Sequence, residues 1–189
     1  MRGHDPFVES LKGQLLVAAA RIFDPNFRRV VVLVIEHDAE GAVGVVLNRS
    51  AEVPIGDAVP VLSSLVGSAE PVFVGGPVEP DSIVILADLP LGDLSSGVQP
   101  VFGSVVVLGD EWLDASPGEI RRARAFSGYS GWGPGQLEFE IAARDWIVEP
   151  AGVEDVFPQD PSSLWSEILR RKGGKYEMLA AMPMDPSAN

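Results

Sequence analysis

The 189-residue chain contains no cysteine. That absence excludes disulfides, zinc sites built on thiolates, and cysteine nucleophiles. Histidine is scarce as well: only His4 and His37 occur. One histidine outside the N-terminal arm, with no cysteine, argues against a structural metal site, and neither a metal nor a cofactor is expected. Long apolar runs are also missing. Val30 to Ile35, six residues, is as long as any fully apolar stretch, against the ~20 that a membrane helix needs. The start, Met1-Arg2-Gly3-His4-Asp5-Pro6, leads into no apolar signal core. A soluble, cytoplasmic protein without membrane contact is the expectation. Positive charge is in short supply: 14 Lys and Arg against 27 Asp and Glu leave a net charge of −13. A field of that sign repels nucleic-acid phosphates and anionic lipid. Acidity serves solubility in the plainest reading; in a sharper one it attracts a basic partner protein or a cationic ligand. Two local basic clusters stand out, Arg121, Arg122 and Arg124, and Arg170, Arg171, Lys172 and Lys175.

The length suits one domain and is enough to bury roughly 70% of the unfolded surface. Residues 1–12 read as a flexible arm or short helix, 13–182 as the domain, and 183–189 as a disordered tail. Leu15 to Ala20 fits helix or strand. Asp24-Pro25-Asn26-Phe27 has the order of a type I turn. Val30 to Ile35 is β-branched and apolar on both sides, which predicts a central strand buried on two faces. A turn at Asp38 to Gly41 and a strand at Val43 to Leu47 complete a hairpin. Residues 51–71 read as a loop with one short helix near Asp57 to Val66. Short strands follow at Val72 to Val74, Ile83 to Leu86 and Val105 to Leu108, with a loop over 88–100 and a helical turn near Asp110 to Ala115. Arg121 to Phe126 alternates as an edge or half-exposed strand does. Leu137 to Ile141 alternates cleanly, predicting a strand with Leu137, Phe139 and Ile141 inward. Trp146 to Val148 closes the sheet. Asp160 as N-cap, Pro161 at the first position, an apolar stripe of Leu164, Trp165, Ile168 and Leu169, and the stop Gly173-Gly174 predict a helix to Lys172.

Three constellations carry chemistry. The first is Glu36-His37-Asp38 with Glu40, where a buried strand runs out. A histidine among carboxylates is the chain's one candidate for a general base, and a charged turn after a buried strand is the plain alternative. The second is Phe126 to Gln136, with four glycines and a proline in eleven residues. Gly128-Tyr129-Ser130-Gly131 half matches the nucleophile elbow, but Trp132 stands where that motif has glycine, and Gly131 to Gly135 make a helix here hard to form. A rigid turn whose aromatics cap a core fits, and the same turn could equally form a recognition surface presenting Tyr129 and Trp132. The third, Gly75-Gly76-Pro77, reads as a structural corner.

Several blocks together resemble the AlgH/YqgE family of bacterial proteins. They are Gly13 to Ala18, Asp24 with Phe27, Val32 to His37, Gly41 to Gly44, Leu47-Asn48, Val74 to Val78, and, most specific, Gly128-Tyr129-Ser130-Gly131-Trp132-Gly133-Pro134-Gly135-Gln136-Leu137-Glu138 with Glu140; Trp146 and Trp165 fit later positions. The match spans 13 to about 174. Ala19-Ala20 departs from a proline-containing turn common in the family, and 51–71 lies where members vary. The resemblance implies an α+β fold, a bent, bifurcated, mostly antiparallel sheet forming a pseudo-barrel flanked by helices. It implies no established activity, although some members carry a transcriptional-regulator label.

A binding or regulatory protein is therefore the leading reading. It would act through a protein partner or small ligand, with His37, Asn48, Tyr129, Ser130, Trp132 and Gln136 as the candidate surface. The alternative is an enzyme on a small ligand with His37 as general base, assisted by Glu36, Asp38 or Asn48. Direct DNA binding is opposed by the charge and by the lack of a basic recognition helix.

Overall fold

The computed structural model describes residues 9–58, 60–67, 69–90, 96–111 and 120–182. The predicted arm up to residue 8, the tail 183–189 and most of the expected helical turn at Asp110 to Ala115 lie outside the described residues. Leu15 to Ala20 resolves as strand, β1 (Gln14–Ala18). β2 (Val31–Asp38) and β3 (Gly41–Val46) form the predicted hairpin. β4 (Ser50–Pro54) pairs with β5 (Pro71–Val74), so part of the expected loop is a strand. Between them the expected helix is broken into α1 (Ile55–Ala58), a 3-10 turn at Pro60–Leu62 and α2 (Ser63–Val66). β6 (Val78–Asp88), β7 (Val98–Phe102), β8 (Val105–Leu108) and β9 (Arg122–Trp132) follow, then α3 (Gln136–Ala142), β10 (Trp146–Pro150), α4 (Val153–Val156), α5 (Leu164–Lys172) and α6 (Lys175–Ala180).

The fold is α+β, a strongly curled sheet with helices against it. Its strand path runs β10-β1-β2-β3-β9-β6-β8-β7. The pairings are antiparallel except β5 with β9. The fork lies along β9. Its Ser130 to Trp132 end pairs β3, whereas further back Phe126 and Ser127 pair β5. One edge of one long strand thus serves two neighbours, and the sheet divides there. The close crossing that makes this fork fit is built from glycines. A Cβ on Gly76 would lie 2.2 Å from the Tyr129 backbone, and one on Gly128 2.6 Å from the Gly76 carbonyl oxygen. Gly75-Gly76 is thus the structural corner expected, and Gly128 is its counterpart.

Val30 to Ile35 is buried on both faces as predicted. Leu15, Val17, Val31 and Leu33 point into the larger core, with Phe73, Phe126 and the α5 residues Leu164, Trp165, Ile168 and Leu169. Leu16, Ala18, Val32 and Val34 point the other way, under Trp132, Leu137 and Trp146. Each fully buried aliphatic side chain contributes ~1.5–3 kcal/mol. The helix start at Asp160 holds: its Oδ1 accepts from the Ser162 amide at 3.0 Å, although the first turn, Pro161–Ser163, is 3-10.

Two sequence expectations are corrected. Leu137 to Ile141 is not a strand but lies within α3, and Phe139 is 73% exposed. Positions 137 and 141 share a face at both the strand period of two and the helical spacing of four, so only Phe139 separates the readings. Gln, Glu, Leu and Ala favour helix, and Gly135, at φ 72, ends the turn after β9 and stands at the N-cap of the helix. The run from Arg122 to Phe126 is the half-exposed strand expected: at the start of β9 it pairs β6 on one side, whereas on the other only Phe126 of this run meets β5. The glycine-rich stretch through Tyr129 to Trp132 is accordingly strand, not loop; only Gly133 to Gly135 turn.

Candidate functional site

His37 sits near the end of β2, buried, with both ring nitrogens engaged. The Leu11 amide donates to Nδ1 at 2.9 Å, and Nε2 lies 2.8 Å from Glu138 Oε1. An amide can only donate, so Nδ1 accepts and Nε2 carries the hydrogen toward the carboxylate. Ser10 Oγ donates to the His37 carbonyl at 3.0 Å. The ring clasps the segment before β1 to α3, and neither nitrogen is left facing a substrate. Glu138 is held below the usual carboxylate range, first by its own backbone N–H and then by His37, against partial desolvation. Among the described residues no three of His, Asp and Glu gather as metal ligands do.

Asn48 lies at the other end of the hairpin. Its Oδ1 accepts from the Val31 amide at 2.9 Å and its Nδ2 donates to the Arg29 carbonyl at 2.9 Å. Ser130 is fully buried in β9, its hydroxyl 3.3 Å from the Gly75 carbonyl. Tyr129 is half-buried against the larger core. Of the six candidates, Trp132 and Gln136 alone come together at one cleft.

That cleft, about 340 Å³, is lined by Asp24, Phe27, Trp132, Glu140, Asp145 and Trp146, with Gln136 at its side. Phe27 and Trp132 each meet Trp146 edge-on, at centroid distances of 5.9 and 6.0 Å. Glu140 organises the group. Its Oε2 accepts from the indoles of Trp132 at 2.9 Å and Trp146 at 2.7 Å, and its Oε1 from the Gln136 amide at 2.9 Å. The two tryptophans stand on separate strands, β9 and β10, and α3 crosses the sheet between them; the turn Gly133-Pro134-Gly135 aims it there, with Gln136 Oε1 accepting from the Gly133 amide at 3.1 Å. Asp145 pairs with Arg21 at 2.8 Å, and Asp24 caps the Asn26 amide at 2.8 Å. The cleft thus gathers three carboxylates, one of them already paired with Arg21, beside three rings. Sequence reasoning missed Glu140, Phe27 and Trp146 as site residues. The signal was present as Glu138 and Glu140 in the most specific block, but the strand assignment hid their helical side.

Several residues of the two basic clusters prominent in the sequence are engaged within the chain. Arg122 binds Glu154 at 2.8 Å and Asp88 at 3.3 Å, and Arg124 donates to the carbonyls of Val156 and Pro158. Arg171 grips buried Asp155 through two bonds of 2.8 and 3.0 Å, and Lys172 pairs with Glu149.

A model of the AlgH-like family matches residues 15–177. The chain belongs to the AlgH-like family. A UPF0301 protein of Streptomyces coelicolor is 43% identical over 190 residues, 96% of this chain and 97% of that one. Another, from Mycobacteroides abscessus, is 40% identical over 184 residues, covering 94% and 87%. Among AlgH-like structures, a crystal structure of a Corynebacterium diphtheriae protein superposes with TM-score 0.81 at 26% identity, covering 96% of this chain and 95% of that one. The solution structure of the AlgH protein of Pseudomonas aeruginosa gives TM-score 0.70 at 26% identity, covering 98% and 100%. No helix among the described residues is long and apolar enough to cross a membrane.

Proposed function

We propose that this AlgH-like protein is a binding protein with a regulatory role, working through a basic protein partner, and that the cleft between Trp132 and Trp146 receives a cationic side chain of that partner. The observation behind this reading is Glu140. Its hydrogen-bond donors are two indoles and an amide, all neutral. They fix the carboxylate in place and leave its charge uncancelled. A guanidinium or ammonium group entering there meets the carboxylate beside aromatic rings, and the rings alone contribute ~0.5–2 kcal/mol. The net charge of −13 draws basic partners at long range and speeds encounter. The same charge opposes contact with DNA phosphates, so a transcriptional role would run through the partner.

Titrating a short arginine-rich peptide into ¹⁵N-labelled protein tests this. The indole N–H signals of Trp132 and Trp146 are expected to move while that of Trp165 stays. Glu140→Gln, which keeps an acceptor but removes the charge, should weaken binding about tenfold, the equivalent of ~1.4 kcal/mol. Unmoved indoles, or a variant that binds as tightly as the parent, reject the proposal. Sequence-selective retention of duplex DNA in a gel shift would overturn the indirect route.

A further inference from the structure

We infer that the partner segment received by the Trp132–Trp146 cleft carries a lysine flanked by apolar side chains, with the ammonium on Glu140 and the apolar neighbours on Phe139 and Phe23. The assignment rests on the cation reading of the cleft and adds which cation enters and what lies beside it. The choice of cation follows from the acceptor positions of Glu140. A carboxylate offers about four, shared equally between its oxygens. Glu140 Oε2 already accepts from the indoles of Trp132 at 2.9 Å and Trp146 at 2.7 Å, so it is full. Oε1 accepts from the Gln136 amide at 2.9 Å and keeps a single position. A guanidinium binds a carboxylate best by forking across both oxygens. Here one oxygen is closed to it. An ammonium is a compact point charge that needs no such fork. Asp24, exposed and also lining the cleft, adds negative charge there, whereas Asp145 is paired with Arg21.

The apolar flanks follow from what borders the opening. Among the described residues the exposed large hydrophobic side chains include two aromatic ones, Phe23 at 78% and Phe139 at 73%. Both stand beside this cleft. Phe139 precedes Glu140 on α3 and shares a side of the helix with Gln136 and Ala143, three residues before it and four after. Phe23 lies between Ile22 and Asp24, which both line the cleft. Arg21 joins the two rims, donating to the Ala143 carbonyl and pairing with Asp145 at 2.8 Å. Exposed rings around a charged centre match the anatomy of a binding hot spot, in which apolar contacts shut water away from a polar one. Excluding water from Glu140 strengthens its attraction for an ammonium. The charge of −13 favours a basic partner as occupant over a second copy of this chain, since two copies repel.

The test titrates three short peptides into the full-length chain: a lysine between two leucines, an arginine between two leucines, and a lysine between two serines, with capped ends and no other charge. The indole N–H signals of Trp132 and Trp146 read binding. The leucine-flanked lysine is expected to bind about fivefold tighter than its arginine counterpart and about tenfold tighter than the serine-flanked lysine. Phe139→Ala should remove most of the leucine preference and Phe23→Ala part of it, while affinity for the serine-flanked peptide is unchanged. Both positions are exposed, so both variants should fold, as an unshifted Trp165 indole signal would report. Met178→Ala, 72% exposed on α6 in the parent, should leave all three affinities unchanged. An arginine peptide that binds as tightly as the lysine one, or Phe139 and Phe23 variants that keep the full leucine preference, overturns this inference and leaves the cation reading standing. Indoles unmoved by all three peptides overturn both. Concentration-dependent self-association that shields Phe139 makes a second copy the occupant and overturns the lysine partner.

Discussion

The Trp132–Trp146 cleft and the cavity lined by Arg28, Arg29, Asn48, Arg49 and Trp165 lie against opposite faces of the same strands and are built from opposite chemistry. On the first face a helical carboxylate, Glu140, holds two indoles by their N–H groups. On the second a single indole, Trp165, donates to the Ala18 carbonyl at 2.9 Å and supports an arginine on its ring. In the first case polar atoms position the aromatics; in the second the aromatic positions the polar atoms. The two arrangements therefore fail differently when cut. Trp165, 3% exposed in the larger core, carries packing. Glu140, at the surface of the smaller one, carries charge and hydrogen bonding.

The largest effect follows from that contrast. Trp165→Ala should cost ~3–5 kcal/mol, the range for a large aromatic truncated in a core, measured by denaturant titration. It should also release Arg29 from the ring while leaving the Trp132 indole signal in place. A loss below about 1 kcal/mol, the scale of exposed positions, would mean that α5 is not anchored by this ring.

Glu140→Ala should come next. It strips the acceptor from two mostly buried indoles, and a buried donor left unsatisfied costs ~1–3 kcal/mol. Glu140→Gln supplies one acceptor without charge, so its stability should fall by under ~1 kcal/mol while its affinity for a basic peptide falls about tenfold. If both variants lose stability equally, the charge itself stabilises the fold, and the distinction between a positioning and a binding carboxylate collapses.

Legibility from sequence follows the same division. Val30 to Ile35 was readable because six consecutive β-branched and aliphatic residues leave no polar face, whatever the partner strands. The helix ending at Lys172 was readable because cap, stripe and glycine stop are all local. The curled, forked sheet came from family resemblance, since no local pattern shows that β9 serves two neighbours. Leu137 to Ile141 misled because strand and helix periods coincide at its ends. At the sites, Trp132 and Gln136 stood inside an unusual glycine-rich block and could be singled out. Glu140 could not, because its value depends on α3 crossing between strands. The arginines that line a cavity, Arg28, Arg29 and Arg49, are split across a hairpin and form no run. Those that do form runs, Arg121 to Arg124 and Arg170 to Lys172, include several engaged within the chain. His37 drew attention as the lone histidine, yet its geometry is that of a clasp.

That clasp gives a smaller effect. His37→Ala removes the acceptor for Leu11 and the partner of Glu138. It should cost ~1–2 kcal/mol, two modest hydrogen bonds, and should speed amide exchange at Leu11 while the exchange of Val32 and Val34 is unchanged. Unaltered exchange at Leu11 would show that the segment before β1 is held by something else.

The smallest effect compares how the two faces respond to acid. Glu138 braces α3 to His37 on one face, and Asp160 starts the turn leading into α5 on the other. Both carboxylates are held below their ordinary range, Glu138 by its own amide and then His37, Asp160 by the Ser162 hydroxyl and then its amide. A carboxylate lowered in the folded state contributes stability that is present above its unfolded value, ~3.9 for Asp and ~4.3 for Glu, and is lost as pH falls through the folded one. Thermal midpoints should therefore drop as pH falls below about 4, with no change from either group between pH 6 and 8. Glu138→Gln and Asp160→Asn keep an acceptor that does not titrate, so each should flatten part of the acid limb. In the first variant the retained protection should be at the Leu11 amide, in the second at the Ser162 amide. If both variants follow the parent curve in acid, neither contact contributes to pH-dependent stability. If only one departs from it, acid distinguishes the two faces just as truncation does.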